Sequence, residues 1–120
     1  MKKLNLLIIM ILVGFASLSS CKKKCSGEDP TAKVLNAGRN KVSVQIKTTG
    51  GSTTNINNIE PNMASSEVSY APGAVTFTVT IGNSTIAPVV NTFDMASCYD
   101  YTIRVDSNNV VTSLPTQRNP

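Results

Sequence analysis

The chain has no histidine and no tryptophan among its 120 residues. Without histidine there is no Ser-His-Asp or Cys-His arrangement, and the commonest proton carrier at neutral pH is missing. Zinc would have to be held by cysteines and carboxylates alone. The three cysteines, Cys21, Cys25 and Cys98, do not have the clustered spacing of such a site. Aromatic residues are scarce, with three tyrosines and three phenylalanines. A glycan platform of exposed rings therefore has little to be built from. No glycine-rich phosphate loop occurs. Beyond residue 20, no segment carries the apolar period of a helix.

Carboxylate chemistry remains as the one catalytic option. Asp94, Asp100 and Asp106 are the candidates, spaced along one stretch of chain. Asp100 falls on the polar side of its expected strand beside Arg104, which reads as an ion pair rather than an acid–base pair. Asp106-Ser107-Asn108-Asn109 offers side-chain oxygens, but too few ligands for a calcium loop, and reads as a turn. The sequence thus points away from catalysis and calls for no metal or cofactor.

The N-terminus is more informative. Lys2 and Lys3 precede an apolar run from Leu4 to Phe15, and Ala16-Ser17-Leu18-Ser19-Ser20 then supplies small residues. This is the order of a secretory signal peptide. The run is too short to span a bilayer comfortably, which takes about 20 residues. Its last residues, Leu18-Ser19-Ser20-Cys21, resemble the lipobox of bacterial lipoproteins. That resemblance implies a diacylglycerol on the Cys21 thiol and cleavage just before it. Cys21 would then open the mature chain, with its lipid as the link to the membrane. The Cys-Lys-Lys start also resembles small lipoproteins of the Bacteroidota. Lys22 in place of an aspartate favours the outer membrane of the cell envelope and leaves the face open, periplasmic or surface.

Removing residues 1–20 takes two lysines away, and Lys22, Lys23 and Lys24 sit beside the anchor. From Cys25 onward the chain holds six basic and seven acidic residues. No clustered basic footprint for nucleic acid is left on the domain. The lysine run either lies against anionic headgroups or forms a solvated spacer. With Cys21 lipidated, Cys25 and Cys98 remain as a pair in an exported protein, where disulfides persist. Their bridge would close about 74 residues and stabilise the domain by roughly 4 kcal/mol on the chain-entropy model. The alternative is two free thiols.

Thr, Ser, Asn and Val dominate the rest of the chain, a mixture suited to strands and turns. Ala32–Ala37 is the first expected strand. Val42, Val44 and Ile46 alternate with polar residues, as do Val75, Phe77, Val79 and Ile81, and Tyr99, Tyr101, Ile103 and Val105. Val68 and Tyr70 are expected to face inward as well. Ala71-Pro72-Gly73-Ala74 fits a type II turn, so Ser66–Ile81 reads as a hairpin. Pro88 within Thr85–Phe93 marks an edge strand, a candidate contact for an envelope partner. Val110–Leu114 closes the pattern.

About seven or eight short strands with turns between them predict a small antiparallel β-sandwich, immunoglobulin-like or transthyretin-like. The expected organisation is a signal peptide at 1–20, a lipidated tether at 21–31, the sandwich at 32–115 and a polar tail at 116–120. The order Ala32-Lys33-Val34-Leu35-Asn36-Ala37, then Val68-Ser69-Tyr70-Ala71-Pro72-Gly73 and Val75-Thr76-Phe77-Thr78-Val79, resembles half of a family of secreted bacterial β-sandwich domains. That family has no agreed activity, so the resemblance bears on fold alone.

Overall fold

The computed structural model describes residues 24–82 and 85–119. The expected signal peptide, Cys21, Lys22 and Lys23 lie outside the described residues. Eight strands are arranged in chain order: β1 (Thr31–Asn36), β2 (Val42–Thr48), β3 (Thr53–Ile59), β4 (Val68–Ser69), β5 (Gly73–Ile81), β6 (Val89–Met95), β7 (Tyr99–Val105) and β8 (Val111–Gln117). They form two four-stranded sheets, β4-β1-β7-β8 and β3-β2-β5-β6. This is the expected all-β sandwich. Its pairs are antiparallel apart from β1 with β7, which run parallel in register from Thr31 opposite Asp100 to Asn36 opposite Val105. An immunoglobulin order would put the first two strands side by side. Here β1 lies between β4 and β7, and β2 belongs to the other sheet. Of the two sandwich types expected, that leaves the transthyretin-like one.

Period-two alternation decides which side chains enter the core. Val34 from β1, Val42, Val44 and Ile46 from β2, Val75, Phe77, Val79 and Ile81 from β5, and Ile103 and Val105 from β7 are all buried. Strands β2, β5 and β7 each have a strand on both sides, and they carry the cleanest alternation. Strand β3 has only Ile56 and Ile59 as apolar points and sits at an edge.

The Ser66–Ile81 hairpin is not formed. Strand β4 pairs with β1, whereas β5 pairs with β2 and β6 in the opposite sheet. The Ala71-Pro72 segment instead carries the chain from one sheet to the other. Gly73 makes this possible with φ of 124°, a region closed to most side chains. The expected type II turn is replaced by a bend at Pro72, with Gly73 already in β5, because the returning chain is claimed by β2 and β6 while β4 pairs with β1, far away in sequence. The extended segment expected from Thr85 begins as a strand only at Val89, so Pro88 precedes β6 instead of interrupting it. Strand β6 is nevertheless an edge, as expected.

The domain is also longer than 32–115. Strand β1 starts at Thr31 and β8 continues to Gln117. Residues before β1 are bonded to the body: the Cys98 amide donates to the Glu28 carbonyl at 2.9 Å, and the Tyr70 amide to that of Pro30 at 3.0 Å. The tether and tail expected from polar composition are therefore partly built into the sandwich.

Strand directions give the molecule two distinct ends. Odd-numbered strands start, and even-numbered strands finish, at a basal end near Pro30, Tyr70 and Cys98. The distal end carries the links after β1, β3, β5 and β7. At about 3.3 Å per residue, a strand of this length separates the ends by roughly 20 Å.

Candidate functional site

Among the candidate carboxylates, only Asp100 enters a side-chain ion-pair cluster. It lies at the start of β7, with Thr31 of β1 alongside and Arg118 just past β8. The Thr31 hydroxyl donates to Asp100 Oδ1 at 2.6 Å. Arg118 Nε lies 2.8 Å from the same oxygen, an ion-pair contact in which its N–H is not aimed for a hydrogen bond. Arg118 Nη1 meets Glu28 Oε2 at 3.1 Å, and Nη2 donates to the carbonyls of Asp29 at 2.7 Å and Tyr99 at 3.2 Å. The expected pairing of Asp100 with Arg104 is therefore replaced by one with Arg118. Four residues along a strand span about 13 Å, beyond the reach of a direct pair, whereas the end of β8 lies next to the start of β7.

This cluster closes the basal end. Both terminal nitrogens of the Arg118 guanidinium donate to protein oxygens, its Nε lies in ion-pair contact with Asp100, and the Arg118 amide donates to the Cys98 carbonyl at 2.8 Å. Cys98 is bonded to Cys25 as a disulfide, with Cα atoms 5.7 Å apart and a sequence separation of 73. The chain entering the fold, the start of β7 and the end of β8 are thus joined by covalent, ionic and backbone links. Arg118 was missed in sequence because it stands in a polar terminal stretch. Glu28-Asp29 near one end and a lone arginine near the other were the available signal.

The other carboxylates do not join this group. Asp106 lies past the far end of β7, where its Oδ1 accepts the amides of Asn108 at 2.8 Å and Val110 at 2.9 Å. It makes the expected turn, with Asn109 in the left-handed region at φ 63°. Asp94 is exposed on β6. Among the described residues there is no group of three or more cysteines and carboxylates placed to hold a metal. Tyr70 and Tyr101 are buried as expected, and Tyr101 Oη accepts the Ala96 amide at 2.9 Å.

A groove of about 350 Å³ lies at the distal side, between β3 and the segment leading to β4. Ile56 and Met63 give it an apolar part, and Asn58, Glu60, Ser65 and Ser66 a polar one. Its shape is set by three local features. Asn58 adopts φ of 58° where β3 gains one residue on β2, and its amide donates to Ser43 Oγ at 3.1 Å. Ser65 Oγ accepts the Val34 amide at 2.9 Å. Asn36, fully buried, donates from Nδ2 to the carbonyls of Asn40 at 2.7 Å and Ile59 at 2.9 Å, while its Oδ1 accepts the Gly38 amide at 3.0 Å.

No protein-family model matches the chain, and no curated protein matches it. The groove was not legible in advance, because Asn57-Asn58 reads as ordinary polar strand sequence until the extra residue in β3 is located. Among the described residues, no helix is long and apolar enough to cross a membrane.

Proposed function

We propose that the protein is a lipid-anchored component of a bacterial cell envelope with a non-catalytic binding or structural role. The observation that carries this reading is Leu18-Ser19-Ser20-Cys21 at the end of a short apolar run. The fate of the other cysteines supports it: Cys25 and Cys98 are paired, which leaves Cys21 as the odd thiol of an exported chain. Lys22 after the anchor favours the outer membrane. Metabolic labelling with a palmitate analogue tests the assignment. Label should enter the wild type and be lost in Cys21→Ser; equal labelling of both would refute it.

A second reading keeps the anchor and gives the protein a small sugar or peptide to bind. The mixed polar and apolar groove beside β3 favours it. Burial of Tyr70 and Tyr101 favours the peptide over the sugar, since those rings offer no stacking face. Panels of immobilised peptides and glycans, probed with wild type and Met63→Glu, distinguish the two. Loss of a captured ligand in the variant supports the groove; identical capture by both proteins opposes it.

A further inference from the structure

Resting on the lipid-anchor reading, we infer that the sandwich is held basal end down on the bilayer, with the distal groove turned away from the lipid. Three residues, Lys22 to Lys24, separate Cys21 from Cys25, so four Cα–Cα steps join the two. Even fully extended, that length of chain reaches only about 14 Å. Cys25 is not the start of a free spacer, because its disulfide fixes it to Cys98 at the start of β7. The residues after it are bonded to the body through Glu28, Asp29 and Pro30. The lipid-bearing residue is therefore tied to one end of a domain about 20 Å tall by a leash shorter than the domain itself.

Charge at that end agrees with a lipid surface as its partner. Lys22 and Lys23 occupy the leash, and Lys24 and Lys47 are exposed at the basal end. Two of the nearby acids, Glu28 and Asp100, are both paired with Arg118. Glu28, Asp29 and Asp94 are all exposed at this end, Glu28 alone of the three having its carboxylate held by Arg118 among the described contacts. Lysines facing anionic headgroups gain attraction within a Debye length of the surface. The groove lies at the opposite end, beside Ile59 and the far end of β1, so a ligand reaching it approaches from solvent.

The missing tryptophan makes the orientation measurable. Ser52→Trp places one donor in the exposed basal turn between β2 and β3, and Asn108→Trp places one in the exposed distal turn after β7. Each full-length lipidated variant is reconstituted into vesicles containing a dansyl-labelled phospholipid. Energy transfer per vesicle-bound molecule should be several-fold greater from position 52 than from position 108. Equal or reversed transfer from bound protein overturns the orientation while leaving the anchor intact. If the protein stays out of the vesicle fraction, or Cys21→Ser binds as well as wild type, the anchor reading falls and the orientation with it.

Discussion

Asn36 is the buried polar residue on which the distal half of the sandwich is assembled. Its side chain satisfies Asn40, Ile59 and Gly38, and its backbone exchanges bonds with Met63 and Asn62 at 2.9 and 2.7 Å. Removing such a side chain leaves its partners unsatisfied. Asn36→Ala should therefore lower unfolding free energy by about 3 kcal/mol in a urea titration. A loss below about 0.5 kcal/mol would show that water replaces the side chain freely. Tyr70 is the opposite case, a buried hydroxyl with no hydrogen-bond partner among the described residues. Burial raises its pKa above the ordinary 10.0. The folded phenol thus holds its proton where the unfolded one has lost it, so stability is intact below pH 10 and declines as pH rises beyond that. Tyr70→Phe should remove this share of the alkaline decline and leave neutral-pH stability unchanged or slightly higher, as thermal melts at both pH values would show. The sequence marked Tyr70 as inward-facing but could not reveal an unpaired hydroxyl, since that depends on which groups happen to surround it.

At the scale of elements, each sheet edge is blunted in its own way. Strand β4 has two residues, β3 carries the Asn58 bulge, and β6 comes directly after Pro88. Strand β8 contains Pro115 opposite Tyr101. Because the Arg118 amide bonds the Cys98 carbonyl, the antiparallel alternation puts Pro115 in a non-hydrogen-bonded pair. Its nitrogen then faces outward and removes a donor from the free edge. Pro115→Thr should keep the fold and increase self-association, seen as a concentration-dependent rise in sedimentation coefficient; a monomer at every concentration would contradict this role. Strand positions and inward faces were largely readable from alternation at β2, β5 and β7, where burial on one face dictates the pattern. Pairing was less readable. The Pro72-Gly73 pair has hairpin composition yet forms a bend that leads from one sheet to the other, and the parallel β1–β7 contact links residues 69 apart, as with Thr31 and Asp100. Local composition contains no trace of such partners.

For the whole molecule, the disulfide and Arg118 tie the segment entering β1 and the segment leaving β8 together at one end of the sandwich. On the chain-entropy model a closure of this length is worth roughly 4 kcal/mol, and each kcal/mol moves the Tm of a domain this size by about 4–8 °C. Reduction should therefore lower Tm by well over ten degrees; a change of a degree or two would contradict a stabilising role for the bond. The Cys25–Cys98 pair was legible by counting cysteines once Cys21 was set aside. The groove was not, because it arises from a one-residue insertion and a link between sheets. On the proposed reading a lipid on Cys21 gives this domain its place in the cell, and the mass of the mature protein tests that proposal most directly. Intact mass spectrometry of the protein extracted from membranes should give a chain beginning at Cys21 and carrying acyl-glycerol mass on that residue. An unmodified Cys21 thiol, or a mature chain beginning at any other position, would contradict the account.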